Sequence, residues 1–159
     1  MPNVTATPFP AFTPGRMKSE TYEWFIQLYP WDVTATLTTK NNTNEWWANS
    51  DIKHFWNVID RKIYGKASKS GERIKRLCLL DRGANNTNIH YHIVVLTPTD
   101  AGWTREDFCK LMSSTWISLK CAGDHNTIGP IQSVGGCVGY LSKKCRSDLD
   151  PLDLSCSHF

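Results

Sequence analysis

The chain has 159 residues, enough for one domain with a substantial core, and its 40% hydrophobic and 21% charged composition is that of an ordinary globular protein. No stretch approaches the roughly 20 apolar residues of a membrane span, and Met1-Pro2-Asn3-Val4-Thr5 lacks the basic start and apolar core of a signal peptide. No membrane partner is expected, the expected location is inside a cell, and a net charge of +3 is too small by itself to name a partner.

Residues 1–21 are expected to form a flexible arm, because five of the eight prolines precede residue 31 and no periodicity appears until Tyr22. One folded unit over residues 22–146 and a mildly acidic tail over 147–159 complete the expected organisation. From Trp31 to Thr39, Val33, Ala35 and Leu37 alternate with Thr34, Thr36 and Thr38, a strand pattern that Asn41-Asn42-Thr43-Asn44 ends. Ile52, Phe55, Trp56, Ile59 and Ile63 then follow helical spacing over Asp51 to Tyr64, with Ser50 as the expected N-cap. Past this helix the charge is uneven: Arg61, Lys62, Lys66, Lys69, Arg73, Lys75 and Arg76 face a lone acid, Glu72. Such a stretch attracts phosphate backbones, and a solvated loop with basic flanks is the plain alternative.

Ile74 to Asp81 and Ile89 to Leu96 read as two strands of a hairpin, joined by a loop whose glycine and asparagines suit a turn. Thr104-Arg105-Glu106-Asp107 has capping-box form, and Phe108, Leu111, Met112, Thr115, Trp116 and Leu119 line one face of the helix that follows. Thr127 to Val134 gives a short strand, and Cys137 to Cys145 a third helix. The order β-α-β-β-α-β predicts an α+β fold of the ferredoxin-like split βαβ type, an antiparallel sheet with helices packed on it. In that fold the strand from Ile89 is central, and a following helix is expected to cover it. The six cysteines show no CxxC pair and are expected to be reduced; Cys121 with His125, or Cys156 with His158, matches no common zinc spacing.

Chemistry concentrates at two places. His90-Tyr91-His92 puts two imidazoles on one face of a strand, where they converge on a single metal ion while Tyr91 points away. A divalent cation held for phosphate chemistry wants a carboxylate as well; Asp81, at the end of the partner strand, is the first candidate and Glu72 the fallback. Two strand histidines hydrogen-bonded within the sheet are the plain alternative. Downstream, Tyr140 stands three residues from Lys143 and four from Lys144, so either ammonium sits beside the phenol on a helix. Trp46 and Trp47 offer faces on which unpaired bases stack, or else form a hydrophobic lid, while the other five tryptophans are assigned to packing.

Three motifs in order resemble the HUH endonuclease superfamily, the tyrosine nickases that start rolling-circle or hairpin replication of plasmids and of single-stranded DNA phages and viruses. Thr34-Ala35-Thr36-Leu37-Thr38-Thr39 looks like the first-strand motif, His90-Tyr91-His92 like the HUH motif, and Tyr140-Leu141-Ser142-Lys143 like the Y-x-x-K nucleophile motif. The lone tyrosine is similar to that of single-tyrosine replication initiators. Lys144 also satisfies the Y-x-x-x-K form of parvoviral nickase domains.

The resemblance implies that His90, His92 and an acidic ligand, Asp81, hold Mg2+ or Mn2+ on a scissile phosphate. Tyr140 would attack it to give a 5′-phosphotyrosine, and Lys143 or Lys144 would orient the phenol or the phosphate. The implied partners are single-stranded or hairpin origin DNA and the host replication machinery, in a nucleus or a cytoplasm according to the host. Since the chain has no G-x-x-x-x-G-K-[ST] loop, the helicase is expected from another domain or protein. Candidate DNA contacts are Thr38 and Lys40, where the first strand ends, the seven basic residues from Arg61 to Arg76, and Trp46 with Trp47. Two rival readings are a single-tyrosine transposase of the same class and a single-stranded nucleic-acid-binding module without catalysis.

Overall fold

Val33, Ala35 and Leu37 of β1 (Val33–Thr38) are buried on one face of a strand whose threonines turn to the other. The computed structural model describes residues 20, 23–24, 26–83, 87–133 and 153–159. In it β1 lies inside a four-stranded antiparallel sheet with β2 (Arg76–Asp81), β3 (His90–Val95) and β4 (Thr127–Pro130), in the spatial order β2-β3-β1-β4. Helices α1 (Glu45–Tyr64) and α2 (Arg105–Ile117) alternate with the strands as the split βαβ pattern requires, so the α+β expectation holds.

Both helices pack on one face. Phe55, Trp56 and Ile59 of α1 and Phe108, Met112 and Trp116 of α2 meet Leu37, Cys78, Tyr91, Ile93 and Val95 of the sheet. Each such side chain contributes about 1.5–3 kcal/mol by leaving water, which makes this the main core. The other face carries a smaller cluster of Leu77, Leu79 and Val94 against Ile26 and Trp31. His90 and His92 alternate with the helix-facing residues of β3 and therefore stand on this second face. Helix α2, which follows the histidine strand, does not cover them, because strand geometry sends Tyr91 and the histidines to opposite sides.

Local boundaries differ from the sequence reading for identifiable reasons. Helix α1 starts at Glu45 instead of Asp51, because Asn44 caps it, its side-chain oxygen accepting the Trp46 N–H at 2.7 Å. Ala48 extends the buried stripe by one turn, and Ser50 falls inside the helix. Thr104 caps α2 as expected, accepting the Asp107 N–H at 3.2 Å. Trp24, assigned to packing, is 57% exposed. The expected third helix at 137–145, with Tyr140, Lys143 and Lys144, lies outside the described residues.

The C-terminal residues, expected to form a tail, fold onto the edge strand β2. Arg76 and His158 exchange two backbone hydrogen bonds of 2.8 and 2.9 Å, and the Asp153 N–H donates to the Cys78 carbonyl. This occupies backbone groups that an edge strand would otherwise leave open. Cys156 enters the main core beside Cys78, and burial pushes both thiols up, that of Cys156 to about 12. The four described cysteines, Cys78, Cys109, Cys121 and Cys156, are free thiols.

Beneath this edge lies a buried ion pair. Asp60, 1% exposed, accepts from Arg76 Nη1 at 2.9 and 3.0 Å and from the Ile74 N–H at 3.0 Å. Arg76 also donates through Nε to the Cys156 carbonyl and stacks on the Trp56 ring at 4.4 Å. One carboxylate thus ties α1 to β2 and to the C-terminal segment. Removing it leaves a buried guanidinium without its counter-ion, which costs about 3–5 kcal/mol. Urea unfolding of Asp60→Ala is expected to show that loss, and the Asp60→Ala/Arg76→Met double variant to recover part of it. Equal midpoints for Asp60→Ala and the parent would contradict this account.

Candidate metal centre

The antiparallel register of β2 and β3 sets Asp81 directly opposite His90, on the face away from the helices. Asp81 Oδ2 lies 3.2 Å from His90 Nε2 and 3.5 Å from His92 Nε2, and one atom from each of the three residues falls within 4.8 Å of the others. The two rings meet edge to face at 4.8 Å between centroids. Among the described residues this is the one group of three histidines, cysteines or carboxylates arranged to hold a metal ion. Glu72, the alternative carboxylate, precedes β2 at the end opposite Asp81, and β2 alone spans roughly 16 Å at the rise of a strand.

Neighbouring groups aim each member of the triad. His90 Nδ1 lies 2.9 Å from the Asn88 carbonyl, which can only accept, so Nδ1 donates there and Nε2 is the nitrogen turned toward Asp81 and available as a metal ligand. His92 Nδ1 lies 3.3 Å from Thr36 Oγ1, the residue opposite it on β1. The Gly83 N–H donates to Asp81 Oδ1 at 2.8 Å, turning Oδ2 toward the imidazoles. Gly83 has a φ of 64°, and a Cβ there would stand 3.0 Å from the Asn88 carbonyl that orients His90. A glycine in this turn therefore serves both the carboxylate and one histidine. Arg82 adds a two-pronged ion pair to Glu45, with both contacts at 2.8 Å, fastening the end of β2 to the first turn of α1.

These donors fit a hard or borderline divalent cation. Ligand atoms about 2.1 Å from one ion and at right angles stand about 3 Å apart, close to the 3.2 and 3.5 Å seen here. Two neutral imidazoles and one carboxylate leave positions for water and a phosphate oxygen. The triad is sheltered but accessible, with side-chain exposures of 6% for His92, 16% for His90 and 15% for Asp81.

Tyr91, between the histidines, is fully buried in the core, and its hydroxyl donates to Asn49 Oδ1 at 2.6 Å. Burial holds its phenol well above the usual tyrosine range, and burial with the nearby Asp100 carboxylate pushes Tyr64 up to about 12. Both stay protonated and are unsuited to nucleophilic attack. The candidate nucleophile Tyr140, with Lys143 and Lys144, lies outside the described residues.

The candidate DNA contacts separate into three groups. Lys40, Trp46 and Trp47 are exposed at the end of the sheet where β1 passes His90. Lys40 Nζ donates to the Lys120 carbonyl, and Lys120 Nζ sits over Trp47 at 5.1 Å from the ring centroid. Lys120, far away in sequence, is a member of this patch that sequence reasoning missed. Arg61, Lys62, Lys66 and Lys69 are exposed at the other end of α1, about 28 Å away at 1.5 Å per residue. There they also complement the negative end of the helix dipole.

Thr38 and Arg76 also hold the fold together. The Thr38 hydroxyl and N–H both donate to Asn126 Oδ1, and its carbonyl accepts from Trp116 Nε1, so its polar groups hold the fold. Gly123 packs so closely there that a Cβ would lie 2.7 Å from Thr38 Oγ1. Arg76 is 3% exposed and its Nη1 is bonded to Asp60 beneath the sheet edge. Lys75 and Arg73 are half-buried, Lys75 over the Tyr29 ring at 5.6 Å and Arg73 bonded to Asp60 at 3.4 Å.

Comparison with curated proteins and with solved structures returns no match. A family model does match, that of the replication-associated protein ORF2/G2P, over residues 32–148. That span takes in all four strands, both helices and the triad. Because it covers well over half of the 159 residues, the chain belongs to the replication-associated protein ORF2/G2P family.

Proposed function

We propose that this chain is a metal-dependent, site-specific single-stranded DNA endonuclease of the HUH type, which nicks and rejoins DNA to initiate replication. The observation that carries this reading is the convergence of Asp81, His90 and His92 on one face of the sheet. Membership of a replication-associated family supports the biological setting.

In this reading Asp81 Oδ2 and the two Nε2 atoms hold Mg2+ or Mn2+. When bound, the cation polarises a phosphodiester oxygen and disperses the negative charge of the transition state. Asn88, Thr36 and Gly83 keep the three donors aimed, which spares reorganisation during the reaction. The Tyr140 phenol attacks phosphorus: a bond forms between its oxygen and phosphorus, the bond to the 3′ oxygen breaks, and the phenol proton ends on that oxygen. The products are a 5′-phosphotyrosine and a free 3′-hydroxyl from which a polymerase extends. Attack by a 3′-hydroxyl on the phosphotyrosine reverses the step and joins the strands. Lys143 or Lys144 orients the phenol or offsets phosphate charge.

We assign the exposed Trp46, Trp47, Lys40 and Lys120, at the sheet end where β1 passes His90, to holding unpaired bases and backbone. The proposed partners are single-stranded or hairpin origin DNA, a helicase from another domain or protein, and the host replication machinery.

Incubation with labelled single-stranded oligonucleotides from the replicon's own hairpin and Mn2+ is expected to give a denaturation-resistant protein–DNA adduct. Tyr140→Phe should abolish the adduct while DNA binding persists; nicking that survives in Tyr140→Phe would sink the mechanism. His92→Ala, read by calorimetric titration with Mn2+, is expected to weaken metal binding by at least about tenfold, and unchanged affinity would remove the triad as the metal centre. Trp46→Ala should cost about 1–3 kcal/mol of affinity for single strands if a base stacks there, measured by fluorescence anisotropy with the adduct chemistry held off by chelator.

A further inference from the structure

On the opposite face of β2 from the triad, at the strand's other end, a cavity of about 310 Å³ opens between α1 and the C-terminal segment. Lys53 and Asn57 of α1, Arg73 ahead of β2, Arg76 at its start, and Ser155, Ser157 and His158 supply its polar lining. None of the described residues that line it is a carboxylate. Asp60 and Asp153 stand behind the wall, bonded to the arginines and to Ser155 respectively, and offset part of the charge of Lys53, Arg73 and Arg76.

Two observations show a built site. Arg76 is 97% buried in the sense of 3% exposure, yet its hydrogen bonds run from Nε to Cys156 and from Nη1 to Asp60 and Ile74. Among the described residues Nη2 has no partner, and stacking on Trp56 at 4.4 Å holds the guanidinium plane in place. A fixed arginine donor on the wall of a cavity suits an oxyanion better than a mobile surface lysine does. Next to it, His158 is pinned by two backbone hydrogen bonds to Arg76. Its imidazole is pushed below the usual histidine range by burial first, and then by the Lys75, Arg76 and Arg73 cations, which outweigh Asp60. Lys75, Arg76 and Arg73 thus place cations around His158.

We propose that this pocket binds a phosphate group, held by Arg76, Arg73 and Lys53 with His158 beside it. The site is separate from the triad, since Arg76 opens β2 on the helix face and Asp81 closes it on the other. It requires neither metal nor the nicking chemistry. Its natural source is a DNA backbone phosphate or a free phosphate monoester, the two sharing tetrahedral phosphorus with anionic non-bridging oxygens.

The test uses the full chain with a chelator present, so that no metal at the triad recruits phosphate. The His158 ring resonance, assigned through His158→Gln, is titrated by NMR in sodium phosphate and in sodium chloride of equal ionic strength. Phosphate is expected to raise the His158 midpoint, because the bound anion offsets the cations that depress it. Lys53→Ala, an exposed change that leaves the core intact, should raise the phosphate concentration needed for half the effect by about tenfold. A midpoint identical in phosphate and chloride, or an unaltered dose dependence in Lys53→Ala, would overturn the proposal. Competition of phosphate by a short single-stranded oligonucleotide supports the site and assigns it to the DNA backbone. A phosphate response that the oligonucleotide leaves intact supports it as a site for a free monoester.

Discussion

Antiparallel pairing of β2 with β3 in one register fixes both faces of this sheet at once. With Asp81 opposite His90, the odd residues of β3 enter the core and its even ones carry the imidazoles. A slip of one residue would send Tyr91 to the open face and put His92 among Phe55, Phe108 and Trp116. The cost of burying an imidazole there and exposing three large apolar side chains makes that register untenable. Core packing thus holds the candidate metal triad in alignment.

The triad is further determined by short-range devices at the end of the hairpin. Gly83, Asn88 and Thr36 orient one donor each or two, and Arg82 ties the strand end to the start of α1 through Glu45. Since α1 also carries Trp46 and Trp47 in its first turn, the same ion pair relates the triad to the exposed aromatic patch. The other end of the sheet is organised differently. There Asp60, Arg76 and the C-terminal segment form a buried polar knot whose net positive surroundings face the cavity beside α1. One small sheet therefore presents a metal-type site at one end and an oxyanion-type site at the other.

Basic charge read along a chain is a poor guide to where charge acts on the surface. Arg76 and Lys66 belong to one basic run, yet Arg76 is buried against Asp60 and Lys66 is exposed in the Gly65–Ser70 turn. Asp60 precedes the run on a helix, and nothing in its local sequence marks it as a counter-ion for a residue 16 positions later. Lys120 joins Trp47 only because the end of α2 folds beside the start of α1.

Periodicity by itself determined much of this protein. Alternation in Val33–Thr38, helical spacing after Ser50, the Thr104 cap and the order of elements predicted the split βαβ sheet, since strand and helix periods reflect local geometry. The pairing of His90 with His92 was equally legible, because residues two apart on a strand share a face whatever the fold. The start of α1 at Asn44 was missed: two tryptophans beside an asparagine-rich loop hide a cap that only a formed hydrogen bond reveals. Tertiary structure decided between the two carboxylate candidates, bringing Asp81 and not Glu72 to the histidines, and placed α2 on the opposite face. It also decided that the C-terminal residues close the edge of β2. Those outcomes depend on inter-strand register and on contacts between residues tens of positions apart, which no window of sequence contains.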